Sequence, residues 1–73
     1  MTKKAIKNLV ARGIAEDITH LSFNECNALR DAHSFSTVEV SSGVYGMNAA
    51  LLKDETGKLY AITERNSRLF QMV

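Results

Sequence analysis

The sequence predicts an α+β domain: two or three short N-terminal helices packed on one face of a four-stranded antiparallel β-meander. Three observations carry this. Apolar residues in the first third recur at helical spacing. S-F-N-E, Ser22 to Glu25, has the form of a capping box. After Phe35 the apolar spacing becomes alternating, and K-D-E-T-G-K, residues 53–58, reads as a hairpin turn. The expected organisation is one small domain over residues 1–73, with a helical part at 1–34 and a sheet at 35–73.

Thr2 is placed to cap a helix that begins at Lys3. Ile6, Leu9 and Val10 follow at i, i+3 and i+4, and Gly13 stands where a C-terminal cap is needed. Ile14, Ile18 and Leu21 continue the spacing, which predicts a short second helix. In the capping box, Ser22 accepts from the Glu25 amide while Glu25 reaches back to the Ser22 amide. Leu21 and Cys26 are spaced as a hydrophobic staple, and the helix should run from Phe23 to about His33.

In S-T-V-E-V-S, Val38 and Val40 alternate with polar residues, the pattern of a half-buried strand. Asp54 and Gly57 fit the first and fourth positions of a type I turn, which pairs Asp54 with Lys58. Leu52 then faces Tyr60, and Ala50 faces Ile62. In S-S-G-V-Y-G-M-N, residues 41–48, a two-residue turn at Ser42 and Gly43 sets Val40 opposite Tyr45 and Val38 opposite Met47. Val38, Val40, Tyr45, Met47, Ala49, Leu51, Leu59 and Ala61 then share one face, the expected core under the helices. L-F-Q-M-V, residues 69–73, would add the fourth strand, with Phe70 and Met72 on that face. The glycines of residues 41–48 lead into a strand, whereas a phosphate cradle needs them to run into a helix N-terminus.

Composition narrows the function. A chain of 73 residues with one cysteine has no internal disulfide. A domain of this size buries only about 60% of its unfolded surface, so oligomerisation is expected to make up the deficit. Hydrophobic residues are 45% and charged residues 23%, as in ordinary globular domains. No apolar run reaches the roughly 18 residues of a membrane span, and the N-terminus lacks a signal-peptide core. A lone cysteine with no export signal leads to the expectation of a cytoplasmic protein without membrane association.

The only thinkable catalytic dyad joins Cys26 to His20 or His33. His33 lies two helical turns beyond Cys26, roughly 10 Å along the axis, too far for a direct hydrogen bond. Two histidines without clustered acids make no metal motif. The expectation is therefore no enzyme, no catalytic residue, no cofactor and no metal.

Charge is uneven within a net +1. Residues 1–12 carry Lys3, Lys4, Lys7 and Arg12 and sum to +4. Residues 13–40 carry Glu16, Asp17, Glu25, Asp31 and Glu39 against Arg30 and sum to −4. Asn24, Asn27 and Arg30 on the capped helix invite a DNA-reading interpretation. The acidic character of that segment opposes it, because phosphate contacts supply most of the affinity.

The outer sheet face is left with an apolar end: Ala50, Leu52, Tyr60 and Ile62. Either another helix of the chain covers them or they form an interface, rimmed by Lys58, Arg65 and Arg68. The leading expectation is a non-catalytic interaction or regulatory module. It would occupy the surface of a protein partner and self-associate as a homo-oligomer through Ala50, Leu52, Tyr60, Ile62, Arg65 and Arg68. The alternative is a nucleic-acid-binding regulator that places Lys3, Lys4, Lys7, Arg65 and Arg68 on phosphates.

Overall fold

In the computed structural model the chain runs α1 (Lys3–Ala11), β1 (Ala15–Asp17), α2 (Phe23–Ala32), β2 (Ser36–Val44), β3 (Met47–Lys53) and β4 (Leu59–Thr63). The structure describes residues 2–44 and 47–63, with backbone alone for Lys3, 41–44 and 47–48. The fold is α+β, with two helices and one four-stranded mixed sheet.

Thr2 caps α1, its side chain accepting from the Ala5 amide. At the other end Gly13 takes φ 74°, donates to the Val10 carbonyl, and lets Ile14 donate to the Leu9 carbonyl. This pair of bonds is the Schellman arrangement, which needs a left-handed residue after the helix.

The expected second helix at Ile14–Leu21 is replaced by β1. The Gly13 reversal throws Ile14 out to 45% exposure, so it cannot share a buried stripe with Ile18. Ala15, Glu16 and Asp17 instead pair in parallel with Leu59, Tyr60 and Ala61. The Ile18 amide continues the ladder onto the Ala61 carbonyl. Tertiary pairing overrides a helical spacing this short. The strand stops where Asp17 turns back to accept from the Thr19 amide and hydroxyl, at 2.9 and 2.7 Å.

α2 follows its expected bounds. Ser22 and Glu25 exchange both bonds of the capping box, each at 3.2 Å, and His33 is the C-cap. Leu21 and Cys26 both pack into the core, as a staple requires.

The sheet order is β1-β4-β3-β2, antiparallel at β2–β3 and β3–β4 and parallel at β1–β4. The meander is thus present in β2, β3 and β4, but the fourth strand is β1. The strand expected at 69–73, with Phe70 and Met72, lies outside the described residues. β1 and β2 run in the same direction at opposite edges, so the α2 crossover must span the whole sheet.

The β3–β4 register is the expected one, with Leu52 opposite Tyr60 and Ala50 opposite Ile62. The β2–β3 register is not. Gly43 lies inside β2 rather than in a turn, and Val44 pairs with Met47, so Tyr45 and Gly46 intervene. Val40 pairs with Ala50, and register shifts fall between Thr37 and Glu39 and between Ser41 and Val44. Relative to the expected pairing this is an odd slip, which moves Val40 to the other face of the sheet. Val38 is the extra residue of a bulge.

Both faces are covered, and the helices lie on opposite sides, not on one. Strand alternation puts Ala50, Leu52, Tyr60 and Ile62 on one face, where they pack with Ile18, Cys26, Phe35, Leu21 and Leu29 of the α2 side. Ala49 and Ala61 face the other way, onto Ile6 and Val10 of α1. The main core is therefore the face expected to be outermost. Val38 and Val40, expected to be core, are 46% and 60% exposed.

Candidate functional site

Three places bear on function: the polar network at the β3–β4 turn, the groove beside α2, and the outer edge of β2.

The turn is organised around Asp54. The Asp54 amide donates to the Lys58 carbonyl and the Gly57 amide to the Asp54 carbonyl, with Gly57 at φ 91°. The Asp54 side chain is nearly buried. Its Oδ1 accepts from the Thr56 hydroxyl (2.6 Å), the Thr56 amide (2.9 Å) and the Lys58 amide (3.0 Å). Its Oδ2 accepts from the Tyr60 hydroxyl at 3.0 Å. These bonds, led by the Thr56 hydroxyl, hold the carboxyl at a pKa of about 2. Burial and the bond to Asp54 push the Tyr60 phenol up.

His33, at the end of α2, ties the helix to this turn. Its Nδ1 lies 2.7 Å from Glu55 Oε1 and 3.8 Å from Asp54 Oδ2. The Ser34 amide donates to Glu55 Oε2 at 3.0 Å. The His33 bond is the main cause that lowers the Glu55 pKa. Phe35 stands edge-on between the His33 and Tyr60 rings, with centroids at 6.0 and 5.2 Å.

Beside α2 runs an open groove of about 560 Å³, over β1 and the near half of β4. Ile18, Leu29 and Tyr60 form its floor, and Ala28 and Ala32, one turn apart on α2, form a shallow wall. On the far side Lys58 Nζ meets Glu16 Oε2 at 2.6 Å and lies 5.1 Å from the Tyr60 ring centroid. The Glu16 bond raises the Lys58 pKa.

The residues singled out from sequence fall as follows. Ala50, Leu52, Tyr60 and Ile62 are brought together as expected, but under α2, each at most 4% exposed. The covering helix is thus the chain's own. Arg65 and Arg68 lie outside the described residues. Lys4 and Lys7 are exposed on α1, and only the backbone of Lys3 is described. Arg30 pairs with Asp31 at 3.1 Å. Cys26 is buried, and desolvation pushes its thiol up. Among the described residues, no group of three or more His, Cys, Asp and Glu is placed to hold a metal ion. No helix among them is long and apolar enough to cross a membrane.

Sequence reading missed Asp54, His33 and Glu55 as partners, and it missed the groove. One signal was present: D-E-T at 54–56 and D-I-T at 17–19 share the form in which an aspartate accepts from a threonine two residues on. The α2–β1 groove had none, because it depends on where β1 pairs.

Compared with known proteins, the chain matches no family model, no curated protein and no solved structure.

Proposed function

We propose that this protein is a non-catalytic interaction module that acts by occupying a protein surface and that self-associates through β2. The carrying observation is the sheet edge. β2 is nine residues long and, among the described residues, pairs on one side only, with β3. It presents Val38 and Val40 to solvent at 46% and 60% exposure. An edge strand with apolar side chains is a template for strand addition. The bulge at Val38 opposes open-ended growth of the sheet, which favours a closed two-fold pair. The polar groups of the β3–β4 turn support a structural role, since His33 engages Glu55, Tyr60 engages Asp54, and Lys58 engages Glu16.

Sedimentation equilibrium at low and high salt tests this reading. The expected result is a dimer that resists salt and that Val40→Glu dissociates while the circular dichroism spectrum is retained. A chain that stays monomeric at millimolar concentration overturns it. A monomer that binds nucleic acid at low salt and releases it steeply at high salt would point to the exposed lysines of α1 instead.

A further inference from the structure

The groove beside α2 is a second surface, separate from β2, and it is present whether or not the chain self-associates. Its shape follows from two features. β1 pairs with β4, so Glu16 stands beside Tyr60 on the α2 face of the sheet. Between Glu25 and His33, α2 lines that side with Leu29 and with two small residues, Ala28 and Ala32, both exposed. A trench is left between helix and sheet edge. From Glu25 to His33 it follows α2 for about 12 Å, the length of roughly four extended residues. Its volume, about 560 Å³, falls within the ordinary range of ligand-binding clefts.

The chemistry of the trench is apolar below and anionic at its rim. Ile18, Leu21, Leu29 and the Tyr60 ring line the bottom. Glu16 and Glu25 are its carboxylates, and Lys58 is its one lysine. The Ser22 bonds lower the Glu25 pKa and keep that group ionised. The most informative contact is internal. Lys58 already sets its ammonium against Glu16 Oε2 at 2.6 Å and 5.1 Å from the Tyr60 ring centroid. A carboxylate and an aromatic face placed around one ammonium are the recognition elements for a cation. At about half exposure Lys58 can be displaced from this cradle at small cost.

We infer that the groove binds a lysine-bearing apolar segment of a partner protein. Its apolar side chains rest on Ile18, Leu29, Ala28 and Ala32, and its ammonium takes the Glu16–Tyr60 cradle in place of Lys58. The partner's lysine and the chain's own Lys58 compete for one site. This competition distinguishes the proposal from simple hydrophobic contact.

The test is an amide-shift titration of the full, isotopically labelled chain with the blocked hexapeptide Ser-Leu-Lys-Leu-Leu-Ser. A second peptide carries norleucine in place of lysine. Saturable shifts are expected at Glu16, Ala28, Ala32 and His33. The lysine peptide should bind about fivefold or more tightly than the norleucine peptide, the fold-change of one exposed cation–π and ion-pair contact. Glu16→Gln should weaken the lysine peptide by a similar factor and leave the norleucine peptide unchanged. Lys58→Met should strengthen the lysine peptide, because the competitor is gone. Ala32→Leu fills the trench from an exposed helical position where leucine is nearly as good a helix former as alanine, so it should abolish binding in a folded chain. Equal affinity for the two peptides would overturn the inference. So would shifts confined to β2, the absence of any saturable shift, or a Lys58→Met chain that binds the lysine peptide more weakly.

Discussion

The two faces of the sheet are built differently. On the α2 face, Phe35, Ile18, Leu52, Ile62 and Tyr60 interlock as large side chains, and Phe35 meets Tyr60 edge-on at 5.2 Å. On the α1 face Ala49 and Ala61 meet Ile6, the fully buried side chain of α1, and Leu51, paired with Ala61, is buried on the same face. The first face is a volume to be filled. The second meets its helix through two alanines, beside the buried Leu51. A large-to-small change should therefore be answered differently on each side, because the cost depends on how far the site can collapse.

Phe35→Ala should give the largest effect, a loss of about 3–5 kcal/mol, because it opens a void bounded by the Tyr60 and His33 rings. Ile6→Ala should fall at the low end of roughly 2–5 kcal/mol, because α1 can settle toward the alanines. Urea unfolding of both variants checks this. A larger loss for Ile6→Ala would mean that α1, not α2, holds the sheet.

Acid should also act unequally on the two sides. Asp54, Glu55 and Glu25, which belong to α2 and the turn it meets, are carboxylates with lowered pKa. A group whose folded pKa is depressed stabilises above its unfolded value and loses that contribution as pH falls toward its folded value. For Asp54 the loss runs from its ordinary 3.8 down to about 2. For the two glutamates it begins near 4.5. Stability should thus be flat near neutral pH and decline below about 4.5, with the α2 side loosening first. Asp54→Asn should be less stable at neutral pH, yet its decline between 3.8 and 2 should be shallower, as guanidinium midpoints across that range would show. An unchanged slope would remove Asp54 from the acid response.

Legibility in the sequence follows the same division between local and distant causes. The caps of α1 and α2 were readable because each is a contact within three or four residues. The β3–β4 register was readable because D-E-T-G fixes its own turn, with Asp54 gathering the Thr56 and Lys58 amides. β1 was not readable. Its three residues carry no strand pattern, and what makes them a strand is an edge of β4 far along the chain. β2 failed for another reason. Gly43 and Gly46 offer two turn positions, and a bulge at Val38 lets either face of the strand be reconciled with its valines. The sheet face that became the main core was recognised as apolar from Ala50, Leu52, Tyr60 and Ile62. The helix that covers it could not be assigned, because a crossover from β1 to β2 is visible only once β1 is known. The Glu16–Lys58 wall of the groove was hidden for the same cause.

The smallest effects lie at the helix starts, where the two sides can be compared one bond at a time. α2 begins with a reciprocal box, Ser22 accepting from Glu25 and Glu25 accepting from the Ser22 amide. α1 begins with a single bond from the Ala5 amide to the Thr2 hydroxyl. Ser22→Ala removes one bond and frees the Glu25 side chain from its partner, so it should cost about 1 kcal/mol. Thr2→Ala should cost about half of that, since it removes one side-chain bond and leaves no partner side chain freed. Amide exchange separates the two. Ser22→Ala should speed exchange at Cys26 and through the first turn of α2, and the α1 amides should stay as they were. If Thr2→Ala instead loosens both helices together, the two faces fold as one cooperative unit, and the contrast between them is one of packing alone.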